Sequence, residues 1–307
     1  MRIASFNVQN LRLRVHQGES ILDGARDTDT DESASRALDL ADRALTARVI
    51  ADIDADIICL QEVFDQATLD YFHDSFLRPT GIAPYPHRIC VPGNDGRGRD
   101  LAMLSRRAPD SVASHARVKP ADLGLAVPEG VNPKTPVFRR DCLMVRFGAL
   151  LLVLCHFKAP YPDASLAWKV RQLEALAVRH LLEAEPGAQA DALWLIAGDL
   201  NEPAEETADS RAIQPLLGDF SVDLLQRLPA GERWSFVSHD GGPPGRPDAL
   251  LASPALARRW PDACPEIVRE GMSREITQYR GPRLAGVGQH RPHASDHAAV
   301  VIALPGA

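Results

Sequence analysis

The chain lacks a cysteine framework. Its five cysteines are an odd number among 307 residues, with no C-x-x-C pair, which excludes a disulfide scaffold and a zinc ribbon. Cys59, Cys142 and Cys155 lie inside apolar runs and read as buried thiols, a use that suits a reducing compartment. No apolar run is long enough to span a bilayer, and the chain enters a strand at once with "MRIASF", so no signal peptide is visible. A cytoplasmic location without membrane insertion is the expectation. An excess of positive charge is also missing: the net charge is −7. General attraction to nucleic acid or acidic membranes is therefore not expected, although a local basic rim is compatible with a negative total. No internal repeat stands out and no linker divides the sequence, so residues 1–307 read as one large α/β domain. No long amphipathic heptad argues for an obligate protein partner.

What is present is a series of short apolar runs. Residues 11–35 are polar and acidic and read as a loop. Helical spacing of apolar residues runs from Ser33 to Ile53, with Ser33 or Ser35 as cap. "DADIICLQEV" reads as a turn into a buried strand, "DQATLDYFHDSFL" as a second helix and "LAMLSRR" as another strand. Residues 107–138, rich in proline and without a period, read as a long surface excursion. "DCLMVRFGALLLVLCHFKAP" suggests a hairpin turning near Gly148. A long helix is expected from Asp163 or Ser165 to about Glu185, ended by Pro186-Gly187. "WLIAGD", "RWSFVS", "DALLAS", "EIVRE" and "HAAVVIAL" are further strand candidates, and "PALARRW" is a short helix. Strands outnumber helices, which suits two packed mixed sheets covered by helices.

Five of these runs break abruptly from apolar to polar residues. They are "SFNVQN" with Asn7, "CLQEV" with Glu62, "LCHFK" with His156, "AGDLN" with Asp199 and Asn201, and "ASDHAAVV" with Asp296 and His297. "GRPDALLAS" adds Asp248 at the entrance of a strand. In extended backbone the i, i+2 pair Asp199 and Asn201 leaves one face. Singly, such a strand-terminal residue is more often a turn former than a catalyst, and a buried Glu62 or His156 reads equally as a satisfied core group. Together, their order and context point to a common site.

The series resembles the endonuclease/exonuclease/phosphatase superfamily, the fold of DNase I, exonuclease III, sphingomyelinases and inositol polyphosphate 5-phosphatases. N-x-x-N from Asn7, L-Q-E at 60–62, G-D-x-N at 198–201 and S-D-H at 295–297 follow the family's hallmark motifs in order. "HFKAP" resembles the DNase I histidine motif, and Arg140 aligns with a phosphate-contacting arginine. "GNDGRGRDLAMLSR" is similar to a stretch in bacterial extracellular-nuclease-like members. The resemblance covers nearly the whole chain and implies a four-layer α/β/β/α sandwich of two mixed, mainly antiparallel sheets. Three features depart from the pattern. Proline stands in "RPD" where an apolar residue is common, Gln9 occupies a position where some apurinic endonucleases have a carboxylate, and the P-x-W-C-D-R signature of the 5-phosphatases is absent.

The resemblance implies metal-dependent phosphoester hydrolysis. A phosphodiester repels nucleophiles and parts slowly with its leaving oxygen, and a hard divalent cation held by oxygen ligands answers both problems. Mg²⁺ is expected, with Mn²⁺ able to substitute. Glu62 is the first-choice ligand, with Asp296 and Asn7 as neighbours, directly or through water. Asp199 is the candidate base for the attacking water, with Asn201 orienting water or a phosphate oxygen. Asp248 would hold the His297 ring in its charged form against the phosphoryl oxygens. His156 would stabilise the same charge or protonate the leaving group, and Arg140 would meet the phosphate.

The expected partner is a phosphoester substrate, nucleic acid among the options. A phosphodiester hydrolase of nuclease type leads, followed by a lipid or sugar phosphatase or sphingomyelinase-like enzyme, and then by a non-catalytic binding module on this fold. The run "QHRPHASDH" raises zinc held by His290, His293 and His297, but Pro292 disrupts a helix there and oxygen ligands occur elsewhere. "RGR" at 97–99 and Arg106-Arg107 read as solvated loop charge, without the aromatic interleave of a stacking platform.

Overall fold

The computed structural model describes all residues except 17, 27–34, 186–189, 204–209, 239–241 and 307. The acidic run after Arg26, the Ser33 cap and the Pro186-Gly187 stop lie outside the described residues. The chain opens with β1 (Arg2–Leu11), β2 (Leu13–His16), β3 (Glu19–Leu22), α1 (Arg36–Ile53) and β4 (Ile57–Val63). Then follow α2 (Gln66–Phe72), β5 (His87–Val91), β6 (Asp100–Ser105), β7 (Ser111–Ser114), β8 (Cys142–Phe147), β9 (Leu150–His156) and α3 (Ala164–Ala184). The last elements are β10 (Leu193–Asp199), β11 (Val222–Asp223), β12 (Asp248–Ala252), α4 (Pro254–Arg259), β13 (Glu266–Val268) and β14 (Ala299–Ala303).

Two six-stranded sheets carry the fold, in the orders β13-β14-β1-β4-β6-β5 and β11-β12-β10-β9-β8-β7. Each has one parallel pair at its centre, β1 with β4 and β9 with β10, and antiparallel pairs outside it. A parallel pair needs a crossover, and α1 and α3 supply it. Strand alternation builds the layers. Ile3, Cys59, Leu101, Leu152, Leu195 and Leu250 fill the space between the sheets. Ala4, Phe6 and Leu60 face the opposite way, into a cluster with Val49 and Ile50 of α1. Val153 and Ile196 face a cluster with Leu173 and Val178 of α3. The result is the expected α/β/β/α sandwich.

The helices start where their caps are. Ser35, Asp65, Asp163 and Ser253 each accept a backbone N–H at the first turn of α1 to α4. Several local features differ from the expectations or add to them. Residues 11–35 are not all loop: β2 and β3 pair as a hairpin, with Leu22 in the core and Arg14 paired to Asp23 at 2.8 Å. The Pro/Gly-rich stretch before "LAMLSRR" contains β5, an edge strand paired with β6. The excursion from 107 contains β7, whose four residues are all exposed and which is held by pairing with β8. "RWSFVS" is no strand; Phe236 alone bridges to Gly245 and His297. The second helix leaves α geometry at Phe72 and continues as a π-helical segment, His73–Leu77. Among the described residues, no helix is long and apolar enough to cross a membrane.

Candidate active site

The sheet topology decides where the polar strand ends go. β1, β4, β9 and β10 are the members of the two parallel pairs, and Asn7, Glu62, His156 and Asp199 lie at or near their C-terminal ends. Asp248 opens the antiparallel strand β12, opposite Asp199 in register, and His297 lies two residues before β14. All six are buried. The sheets meet at this edge through Asn7, whose Nδ2 donates to Asp199 Oδ2 at 3.1 Å. His156 Nε2 lies 3.6 Å from the same oxygen and 4.0 Å from Glu62 Oε1. His297 places Nε2 at 3.8 Å from Asp199 Oδ2 and Nδ1 at 2.8 Å from Asp248 Oδ2. Ser235 Oγ donates to that Asp248 oxygen at 2.6 Å. Nothing in the sequence marks this partner beyond its place in an apolar run.

Left-handed backbone is concentrated here. Among the described residues, five that are not glycine have positive φ, and four of them are Gln9 (47°), Asn10 (58°), Glu62 (67°) and Asn201 (52°). Such conformations cost energy and persist where surrounding structure fixes them. Glu62 sits at a bulge, where pairing passes from Gln61↔Leu101 to Val63↔Asp100 without it. A bulge re-aims a side chain that plain alternation would place elsewhere. The Asn10 N–H donates to Glu62 Oε2 at 2.9 Å, fixing the carboxylate. Gln9 ties two other elements together: its N–H donates to Asn7 Oδ1 at 3.0 Å, and its Oε1 accepts the Asp296 N–H at 3.1 Å.

The Gln9–Asn10 turn rests on Arg43 of α1. This fully buried side chain donates to the carbonyls of Val8 (2.7 Å), Gln9 (2.8 Å), Asn10 (3.2 Å), Asp23 (2.6 Å) and Gly24 (2.8 Å). Burial lowers its pKa to about 10, opposed by Asp42, Asp23 and Asp39, so it keeps its charge. Nothing in the helical pattern distinguishes this arginine from a solvated one.

Asn201 reaches the site by a different route from the extended i, i+2 face. β10 ends at Asp199, and the chain turns so that the Asn201 N–H donates to Asp199 Oδ1 at 2.8 Å. Its Nδ2 donates to the Phe157 carbonyl at 3.0 Å, which also accepts Arg140 Nη1 at 2.8 Å. Gly198 (φ 146°) precedes this turn, and a Cβ there would overlap the Cys155 carbonyl oxygen and lie 2.9 Å from its carbon. Glycine lets β9 and β10 approach where they present His156 and Asp199.

Charge separates the groups. Burial above all, aided by Asp248 and opposed by His297, Asn201 and Asn7, raises Asp199 to about 6. Burial works against the charged form of His297, but Asp248, Asp296 and Asp199 outweigh it and hold its pKa well above the ordinary value. His156 goes the other way: burial first, then Arg140, His297, Arg99 and Arg97, push it well below. The edge thus combines a carboxylate poised near neutrality, a charged imidazole and a neutral one.

Three sequence expectations need correction or sharpening. Arg140 is buried and already engaged by the Phe157 carbonyl and by Asp95, the latter at 3.1 Å. Arg99 is not solvated loop charge; its side chain is 12% exposed and its Nη1 lies 3.4 Å from Glu62 Oε1. Arg106 pairs with Asp54 at 2.6 Å and lies over the Tyr85 ring. The three histidines of "QHRPHASDH" face different partners: His290 meets Glu275, His293 meets Gln9, and His297 meets Asp248. They do not gather around one point, which argues against the zinc alternative. Among the described residues, no three His, Cys, Asp or Glu side chains form a ready-made ion cage.

The sequence matches the family model described as "Endonuclease/Exonuclease/phosphatase family" over residues 4–297. No curated protein matches it. Among solved structures, an AP endonuclease from Archaeoglobus fulgidus is similar at 15% identity and TM-score 0.58, with 99% of each chain covered. An endonuclease/exonuclease/phosphatase family protein from Leptotrichia buccalis is similar at 12% identity and TM-score 0.58, covering 99% of this chain and 98% of that one. Truncated TDP2 from Caenorhabditis elegans gives 16% identity and TM-score 0.55, covering 98% and 95%. These structural likenesses show the fold. Members of the matched family are generally phosphoester hydrolases and typically use divalent metals. From the match over nearly its whole length, the chain belongs to the endonuclease/exonuclease/phosphatase family.

Proposed function

We propose that the protein is a divalent-metal-dependent phosphodiester hydrolase acting on nucleic acid. The observation that carries this reading is the convergence of Asn7, Glu62, His156, Asp199, Asp248 and His297 at one edge, bridged across the sheets by Asn7 and Asp199. The similar AP endonuclease and a TDP2 from D. rerio "complexed with single strand DNA product" (17% identity, TM-score 0.57) support nucleic acid as the substrate class.

The donor set suits a hard cation that keeps part of its water. Glu62 has one oxygen fixed by Asn10 and the other turned into the site, and Asn7 and Asp296 are coupled to each other through Gln9. Glu62, Asn7 and Asp296 would hold Mg²⁺, or Mn²⁺ in its place. When bound, the ion supplies charge neutralisation at the phosphate. Asp199 takes the proton of the attacking water, and its raised pKa suits a base working near neutral pH. Asn201, fixed by its turn, orients that water or a phosphate oxygen. His297, kept charged by Asp248, stabilises negative charge as it develops on the phosphoryl oxygens. The neutral His156 donates a hydrogen bond from the other side. Arg140 acts on the phosphate side through its charge and through the Phe157 carbonyl it shares with Asn201.

A screen of the purified protein with Mg²⁺ and Mn²⁺ tests this reading. Bis(p-nitrophenyl) phosphate, p-nitrophenyl phosphate, plasmid DNA, RNA and sphingomyelin are the substrates to compare. Hydrolysis of the diester and of a nucleic acid, abolished by EDTA, is expected. Cleavage of the monoester alone, of sphingomyelin alone, or full activity in EDTA would contradict it.

A further inference from the structure

The loop after His156 leads from the site to an aromatic ring held in solvent. Tyr161 is 72% exposed, the most exposed aromatic among the described residues, and stands between Pro160 and Pro162. Proline restricts the backbone on either side, so less chain entropy is left to lose on contact. Tyr161 follows His156 closely enough in the chain that their Cα atoms are at most about 18 Å apart.

Cations line the way. The buried Glu174 accepts the N–H of Arg139 at 2.9 Å and of Lys158 at 2.8 Å, which sets these two residues side by side. Lys158 Nζ donates to the Tyr161 carbonyl and to the Ala159 carbonyl at 3.1 Å, so its charge lies at the base of the tyrosine loop. Arg140 is one residue from Arg139, and the exposed Arg97 pairs at 3.8 Å with Asp95, the carboxylate that also meets Arg140. Burial, Arg140, Arg139 and Arg97 lower the pKa of Lys158, with Glu174 opposing. Arg97, Arg139, Arg140 and Lys158 thus lie along the flank between Asn201 and Tyr161, with Asp95 and Glu174 among them. A cationic track ending in an exposed aromatic face is how proteins hold single-stranded nucleic acid, with phosphates on the charges and a base on the ring.

We propose that Tyr161 is a stacking residue for an unpaired base next to the scissile phosphate, with Arg139 and Lys158 holding the intervening backbone. This rests on the nucleic-acid reading of the site and adds single-stranded substrate and a specificity-determining residue to it. Stacking on one aromatic changes affinity by about 5- to 150-fold.

Binding can be separated from hydrolysis. Fluorescence anisotropy with a labelled oligodeoxythymidine in EDTA gives Kd for the wild type, Tyr161→Ala and Tyr161→Trp. Turnover of bis(p-nitrophenyl) phosphate with Mg²⁺ is measured on the wild type, and melting temperatures on all three proteins. The expected result is about 5-fold or more weaker oligonucleotide binding by Tyr161→Ala, recovery in Tyr161→Trp, and unchanged melting temperatures. Equal binding by wild type and Tyr161→Ala, or no binding by wild type, would overturn the stacking role even if the diester is hydrolysed. Failure to hydrolyse any diester defeats the catalytic reading instead, and leaves the anisotropy result to decide on Tyr161.

Discussion

Asp199→Asn is expected to lower kcat by about 10²–10⁴-fold, the range for removing a general base, without destabilising the metal-free protein. Asp199 is buried and accepts from Asn201 N–H and Asn7 Nδ2. An amide is nearly isosteric and keeps one of these acceptors, and the other donor then faces an NH₂. That mismatch costs about 1 kcal/mol. The opposing effect is removal of a buried charge. A carboxylate raised from 3.8 to about 6 by folding binds its proton more tightly in the folded state, so its ionised form costs stability. This penalty is full above about pH 6 and disappears as the pH falls toward 3.8. At pH 7–8 the asparagine variant should therefore melt in EDTA at or above the wild-type temperature while turning over bis(p-nitrophenyl) phosphate at a small fraction of its rate. Unchanged turnover would remove Asp199 from the chemistry, and a large fall in Tm would make it a structural residue.

His297→Ala should lose both activity and stability. Removing a donor to developing negative charge typically costs about 10²–10³-fold in kcat. The structural effect comes from Asp248. This fully buried carboxylate would keep Ser235 as its partner at Oδ2, and its Oδ1 has none among the described residues. Breaking a buried ion pair costs about 3–5 kcal/mol because a charge is left behind. Replacing both members removes that charge, so His297→Ala with Asp248→Asn should regain most of the lost stability and none of the lost turnover. Denaturant melts and steady-state kinetics on the two single variants and the double variant close the cycle. Additive destabilisation would show that the pair is not coupled; restored turnover would place the chemistry elsewhere.

The two effects arise in residues that the sequence marks in the same way. Asp199 and His297 lie at breaks between apolar runs and polar tips, and the layered sandwich follows from those same runs. Period-two alternation places Ile3 and Phe6 on opposite faces, and the helical pattern from Ser33 to Ile53 locates the crossover between β1 and β4. What stayed hidden depends on backbone conformation or on distant partners. Glu62 is in a left-handed bulge that neither alternation nor propensity signals. Asn201 meets Asp199 by a turn, not along an extended face. Arg43 occupies a helical position compatible with solvent, yet it holds five backbone carbonyls behind the site. Arg99 sits in a Gly-rich stretch that reads as exposed, and closes on Glu62 from 37 residues away. The hairpin of β2 and β3 is similar: its side chains are mixed, and its place is set by Leu22 in the core and by the Arg14–Asp23 pair. Local pattern thus reports which face of an element is buried. Pairing between remote groups appears only once the sheets bring their ends together.

Titration calorimetry of the purified protein with Mn²⁺, on the wild type and on Glu62→Gln, asks whether this edge is built around a divalent ion. The wild type should show saturable binding, and loss of the Glu62 carboxylate should weaken it at least about 10-fold with the fold intact. Equal affinity in the two proteins, or no binding by a wild type that still hydrolyses diesters in EDTA, would mean that these side chains converge for some other purpose.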